Sequence, residues 1–304
     1  MLGKQIQLGM RKGDRLFAFV MLGPAVILLL LLNVYPFLTA AHSSLYNIHT
    51  VTRATTWAGL DNYLAILKQS LFWQSLWRSV VWTGPGVVLQ LVLGIAIALL
   101  LHQELKGRWF ARGMVLFPYL VPAIVASLVW RFMFNPLTGM VNYLLVDVLG
   151  LLAEPIAWLA DPTMAMVAVI IVGTWKYVPF MVILFLARLQ TTPLELYDAA
   201  RIDGANAWKE FWYITLPWLR PTIIVAILLR TLWMFNHFDM VYLMAFGGPS
   251  YATTTLPVLI HTVAFGLQQM GQAAAISMLM VIVLFVVSIV YLHYYQRSEE
   301  LLRH

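Results

Sequence analysis

Six stretches of this chain are each long and apolar enough to cross a bilayer: Arg15–Ala41, Gln74–His102, Trp109–Phe134, Thr163–Gln190, Pro221–Phe246 and Gly271–Gln296. A helix covers about 30 Å of hydrocarbon in about 20 residues. In lipid the backbone must satisfy its own polar groups, so runs of this kind form helices. The fourth run carries Lys176 near its middle, at a cost of about 3 kcal/mol. Its dozen or so Val, Ile, Leu and Phe residues each return about 0.3–0.6 kcal/mol, so insertion still wins. The expected fold is an all-α polytopic membrane protein. Six transmembrane helices occupy residues 15–296, between a short N-terminal segment (1–14) and a short C-terminal one (297–304).

Composition agrees. Hydrophobic residues make up 62% of the 304 and charged residues only 11%, against roughly 25% charged in a soluble domain. Intrinsic disorder needs the reverse balance. With no cysteine, disulfides, thiol catalysis and Cys-based metal sites are excluded. The formal charge of +6 is spread among apolar segments rather than gathered on one face, which argues against nucleic acid. It sets orientation instead. Lys4, Arg11, Lys12 and Arg15 precede the first run, and Lys106, Arg108 and Arg112 lie between the second and third. Arg188, Arg201, Lys209 and Arg220 flank the loop after the fourth, and Arg297 and Arg303 follow the sixth. The opposite side offers Arg53, Lys68 and Arg78, while Asn135–Pro162 contains Asp147, Glu154 and Asp161 and no Lys or Arg. Both termini are therefore expected in the cytoplasm. The apolar run Leu16–Leu32 exceeds a usual signal-peptide core, so the first helix is expected to be retained. In the outer segment His42–Trp73, around Asp61, Asn62 and Tyr63, a short amphipathic helix is expected.

The loop at residues 191–220 is the most informative stretch. Thr192, Pro193 and Glu195 read as a capping box with Pro at the first helical position, which would start a helix at Pro193. Gly204 permits a turn that a residue with Cβ resists. A second short helix is expected from Asn206 to Ile214, with Pro217 and Pro221 as punctuation before the fifth span. Glu195, Asp198, Asp203 and Glu210 are mixed with Arg201 and Lys209. A lipid-surface helix would be richer in Lys and Arg, so a protein partner fits better, although an ordinary solvated loop has the same composition.

Ionisable residues at bilayer depth are functional candidates. Arg230 lies about 13 Å beyond Pro221 at 1.5 Å per residue. On one continuous helix Asp239 would face the other way, while Arg230, Trp233, Met234 and His237 share a stripe flanked by Asn236. In the fourth span Pro179 disturbs the carbonyl of Trp175, beside Lys176 and Tyr177, so a kink is expected there. Tyr119 stands between Pro118 and Pro122 in the third span, and Arg131 is placed to snorkel at the outer rim. Aromatic rings with hydrogen-bonding groups suit a sugar. Interfacial anchoring would use the same residue types, and Arg230 and Lys176 could equally form an inter-subunit pair. An ion-coupled secondary transporter is the alternative from another class, although Asp239 is the only acidic residue plainly within a span. No His-Glu-x-x-His pair or catalytic carboxylate spacing suggests an enzyme.

Residue order narrows the choice. Asp198-Ala199-Ala200, three residues, Gly204, nine residues, Ile214, one residue, Leu216-Pro217 resembles the "EAA" loop of binding-protein-dependent ABC importer permeases, in the carbohydrate-uptake branch. Gly59-Leu60-Asp61-Asn62-Tyr63, Pro118-Tyr119 with Pro122, Trp175-Lys176 with Pro179-Phe180, Phe238-Asp239 and Gly247-Gly248-Pro249 extend the likeness along the chain. Asp198 departs from the family's usual Glu, shortening the side chain by one methylene. The resemblance implies a type I importer permease fold in a bacterial inner membrane. It implies that Asp198, Ala199, Ala200, Gly204, Ile214, Leu216 and Pro217 form coupling helices that dock into a separate ATPase dimer. ATP and Mg would bind there and not on this chain, which has no phosphate-binding Gly-x4-Gly-Lys-Ser/Thr loop. A second homologous permease, an extracytoplasmic solute-binding protein and a sugar or oligosaccharide substrate complete the implied assembly. An anionic polyol such as glycerol 3-phosphate is the alternative cargo. The implied substrate pathway runs past Tyr119, Trp175, Lys176, Tyr177, Phe180, Arg230, Trp233, Asn236 and His237.

Overall fold

A computed structural model describes residues 12–49, 54–104 and 106–300. Lys4, Arg11, Arg53 and Arg303, used above for orientation, lie outside the described residues. The chain begins with α1 (Lys12–Leu29), a π turn at Leu30–Val34 and α2 (Tyr35–Ser43). From Val20 to Ser43 this run is long and apolar enough to cross a membrane, and no part of that window is buried inside the chain. A small antiparallel hairpin follows, β1 (Tyr46–Ile48) against β2 (Thr55–Trp57), with Tyr46 opposite Trp57. The expected amphipathic helix is α3 (Asp61–Lys68). Its Asn62 is 2% exposed and donates to the carbonyls of Ser44 and Tyr46, each at 3.0 Å. That residue fastens the hairpin to the end of α2.

The centre of the bundle is α4 (Ser70–His102) packed along α8 (Pro162–Leu189). The face of α4 that carries Ser75, Ser79, Thr83, Gly86, Gln90, Gly94 and Ala98 is buried. Small and polar residues at such spacings let helices approach closely in lipid, where apolar burial alone gives no preference for protein over tails. A Cβ added at Gly94 would stand 2.4 Å from Met181 Cβ, and one at Gly173 would stand 2.3 Å from the Trp82 ring. Trp82 is fully buried and donates its indole N–H to the carbonyl of Met234 at 2.9 Å, joining α4 to the fifth span.

The third span is not one straight helix. It divides into α5 (Arg108–Leu120) and α6 (Ala123–Met133), bent by 93°. The Val121-Pro122 pair explains the break: both residues are extended, and Pro122 has no N–H to continue the ladder. Beyond α6, a single turn α7 (Met140–Asn142) runs into a π segment at Tyr143–Val148. Asn142 is 4% exposed and bonds to the Ile156 backbone and to the Trp158 indole, pinning the connection between α6 and α8. Asp161 then caps α8 by accepting from the N–H groups of Thr163 and Met164 at 2.9 and 2.8 Å.

After α8 come α9 (Leu194–Ile202) and α10 (Ala207–Glu210). A π segment at Phe211–Thr215 then leads into α11 (Leu216–Phe235). From Ala207 to Phe235 the run is a single span of 29 residues. Pro217 and Pro221 therefore do not interrupt the chain as expected: both lie inside this continuous helical run. The fifth span also ends earlier than the expected Phe246. Helix stops at Phe235, and α12 (Asp239–Ala245) is a separate piece. Asp239 thus opens a new helix and does not share the helix of Arg230. A short apolar segment, α13 (Leu256–His261) extended by a π turn to Gly266, packs inside the bundle between the fifth and sixth expected spans. Its Leu256 N–H donates to Ser79 at 2.8 Å. α14 (Met270–Glu300) closes the fold. Five described helices are long and apolar enough to span, and the bent α5–α6 pair makes a sixth broken span.

Candidate functional site

Two regions bring the singled-out residues together. In the 191–220 loop, Asp198 and Ala199 are exposed on α9 and Ala200 is half-buried. Gly204 has φ +77°, a conformation in which L side chains are strained. The Gly204 N–H donates to Arg201 O at 3.1 Å and the Ala205 N–H to Ala200 O at 2.9 Å. These are the paired bonds of a Schellman ending, so Gly204 stops α9 and turns the chain. Asn206 starts α10 by accepting from the Lys209 N–H at 3.0 Å. Ile214 lies in the π segment and is half-buried, as is Leu216, while Pro217 is exposed. The capping box does not form. Pro193 is extended at ψ 127° and itself occupies the cap position, with no side-chain acceptor to offer, so α9 starts at Leu194. The Thr192 hydroxyl is buried with no hydrogen-bond partner among the described residues.

Ties also cross this loop. Arg188 Nε donates to Trp218 O at 3.2 Å, the Trp218 indole donates to Arg188 O at 3.4 Å, and the guanidinium sits 4.4 Å above the Trp218 ring. These contacts join the end of α8 to the start of α11. Leu194, Leu196 and Ile202 project outward from α9, with Ile202 87% exposed. The loop therefore presents an unfilled apolar and acidic surface on a closed base.

The second region lies where the broken third span, α8 and the end of α11 meet. The Lys176 ammonium, 4% exposed, donates to the carbonyls of Pro118 at 3.3 Å and of Val121. These carbonyls lie at the end of α5, where the helix dipole is negative and the ladder has stopped. Lys176 thus serves the break in the third span and not the Trp175 carbonyl within its own helix. Arg230 is 3% exposed; its Nε donates to Gln90 Oε1 at 2.8 Å, and its guanidinium lies 4.7 Å from the Tyr177 ring and 6.0 Å from those of Phe180 and Trp233. The Tyr177 hydroxyl is hydrogen-bonded to His237 Nε2. Tyr119 meets the Tyr177 ring edge-on at 6.4 Å, and Phe180 meets Trp233 at 5.1 Å.

Seven of the nine pathway residues therefore form one cluster: Tyr119, Lys176, Tyr177, Phe180, Arg230, Trp233 and His237. Two do not join it. Trp175 points to the other side of α8, where its ring meets Trp130 at 5.4 Å. Asn236 is exposed and donates back to Leu232 O at 2.9 Å, finishing its own helix. The stripe on the fifth span is also altered. Met234 is buried against α4, where its sulfur accepts from Gln90, and His237 reaches Tyr177 only because the helix has ended at Phe235. Arg131 does not reach into a free rim; it lies 4.6 Å above the Phe246 ring. The residue missed in the sequence is Gln90. An uncharged polar side chain at the middle of the apolar second span was the available signal.

Residues 90–300 match the family model of the binding-protein-dependent transport system inner membrane component. The chain is 37% identical over 277 residues to the inner membrane ABC transporter permease protein YcjO of Escherichia coli, covering 91% of this chain and 93% of that one. It is 37% identical over 274 residues to the trehalose/maltose transport system permease protein MalF of Thermococcus litoralis, with 90% and 92% covered. With the sulfoquinovosyl glycerol transport system permease protein SmoG of Agrobacterium fabrum it shares 36% over 282 residues, covering 92% and 90%. Among solved structures, a bacterial ABC transporter involved in import of the acidic polysaccharide alginate matches with a TM-score of 0.81 at 22% identity, over 94% of this chain and 96% of that chain. At that identity the likeness speaks for the fold. Matched by that family model over residues 90–300 and by relatives 36–37% identical over nine-tenths of its length, the chain belongs to the binding-protein-dependent transport system inner membrane components.

Proposed function

We propose that this chain is the permease subunit of an ATP-driven importer that passes a sugar or oligosaccharide through a bacterial inner membrane by alternating access. The observation that carries the reading is the cluster around Tyr177, where rings from three elements surround His237, Lys176 and Arg230 at the breaks of two spans. A sugar has apolar ring faces and a polar edge, and such a lining answers both. Relatives named for trehalose/maltose and for sulfoquinovosyl glycerol support this substrate class. A second homologous permease, an ATPase dimer binding ATP and Mg, and an extracytoplasmic solute-binding protein complete the machine. The 191–220 loop, led by Asp198, Ala199 and Ala200, docks on the ATPase, and both termini lie on that cytoplasmic side.

The test is reconstitution of the complete transporter in liposomes with the solute-binding protein and labelled sugar. Uptake requires ATP and survives a protonophore. Tyr177→Ala and His237→Ala lower uptake by about tenfold or more while stimulated ATP hydrolysis persists. Uptake that needs an ion gradient and no ATP overturns the reading.

One observation favours an anionic cargo as a second reading. The Nη2 atom of Arg230 is buried with no hydrogen-bond partner among the described residues, so a cation has capacity left in the pathway. Calorimetry of the solute-binding protein with neutral and acidic sugars separates the two cargoes.

A further inference from the structure

We propose that Arg201 and Tyr197 are positioning residues that lock the coupling loop into one rigid lever. A push received at Asp198 then reaches α11 and is not absorbed by flexing at Gly204. This rests on the coupling role given to the loop above.

The turn at Gly204 has no packing of its own: nothing lies within 4 Å of where a Cβ would stand. Left to its backbone bonds, the angle between α9 and the α10–α11 run would be soft. Two side-chain ties cross the turn instead. Arg201 Nε donates to Glu210 Oε1 at 3.0 Å, and the Glu210 side chain is only 14% exposed. The Tyr197 hydroxyl pairs with the Thr215 hydroxyl at 3.0 Å, and buried Thr215 also donates to Glu210 O at 3.3 Å. Tyr197 and Arg201 are four residues apart, hence on one face of α9. Both ties land on the segment that leads without a break into α11.

An exposed ion pair alone contributes little. These ties differ because their acceptors are shielded and because they act together, above the base that Arg188 and Trp218 close. Arg201 also reaches Asp198, at 3.6 Å. That contact is longer and largely exposed, so Asp198 stays available to a partner while Arg201 Nε holds Glu210.

The experiment uses the complete transporter in liposomes and reads sugar carried per ATP hydrolysed. In Tyr197→Phe/Arg201→Ala the ratio falls about fivefold or more. The chain has no cysteine, so Arg201→Cys/Glu210→Cys with cysteine-free partners permits rescue. A bismaleimide bridging the two positions returns the ratio to within about twofold of the unmodified value. An unchanged ratio in the first variant, or a bridged variant as uncoupled as its unbridged form, overturns the proposal. A photocrosslinker placed at Ala199 tests the underlying reading separately. If it captures no ATPase subunit, the coupling role falls and the lever with it; capture with an unchanged ratio defeats the ties alone.

Discussion

A guanidinium 3% exposed inside an apolar bundle depends on each partner it has, and Gln90 is the side chain that answers Arg230. Replacing Gln90 with Leu leaves the Arg230 Nε–H without its acceptor, a loss of about 2–3 kcal/mol for a bond to a charged group. The melting temperature of the purified complex should fall. Adding Arg230→Met should recover most of the loss, because an apolar pair leaves no unanswered charge. If the double variant melts no higher than the single one, the pair is not the source of the effect. Lys176 poses a related problem at the break of the third span. Lys176→Met removes the donors that serve the Pro118 and Val121 carbonyls, at about 1–3 kcal/mol. Both a lower melting temperature and a displaced Tyr119, seen as lost sugar uptake, are expected. Residue chemistry of this kind was partly legible beforehand. Lys176 and Arg230 stand out as charges in apolar runs, but the groups that answer them, a backbone carbonyl and a side-chain amide, lie 55 and 140 positions away.

Among elements, the breaks matter as much as the helices. Pro122 ends α5, loss of helix after Phe235 frees His237 to turn toward Tyr177, and Gly204 ends α9 in a left-handed turn. At Gly204 no neighbour obstructs a side chain, so the whole penalty of Gly204→Ala is backbone strain, about 1–2 kcal/mol. Gly204→Asn should cost less, because Asn visits this conformation more readily. Amide exchange at Ala205, whose N–H closes the turn, should therefore speed up in the order Gly, Asn, Ala. Equal exchange in all three would mean that the turn does not rely on its φ. The turn at Gly204 was readable from a glycine amid helix formers. The failed capping box was not, since Thr192, Pro193 and Glu195 satisfy the pattern and only the extended ψ of Pro193 denies it.

For the whole molecule, orientation is the outstanding physical claim. The absence of native cysteine makes it directly measurable: Lys209→Cys should react with a membrane-impermeant maleimide only from the cytoplasmic side, and Glu154→Cys only from the opposite side. Labelling of both from one side would reverse the positive-inside assignment. The first helical run, exposed from Val20 to Ser43, shows in addition that this chain does not bury all of its spans by itself. Sequence alone determined that the chain lives in a membrane and where most of its long apolar helices lie. Each of these follows from local composition, from the need of a backbone in lipid to bond to itself, and from residue order over a few turns. Tertiary structure decided the 93° bend in the third span, the partnership of Gln90 with Arg230, the separation of Trp175 and Asn236 from the cluster around Tyr177, and the ties across Gly204. Those outcomes depend on which helix faces meet, and hydropathy carries no record of that because lipid and protein neighbours are equally apolar.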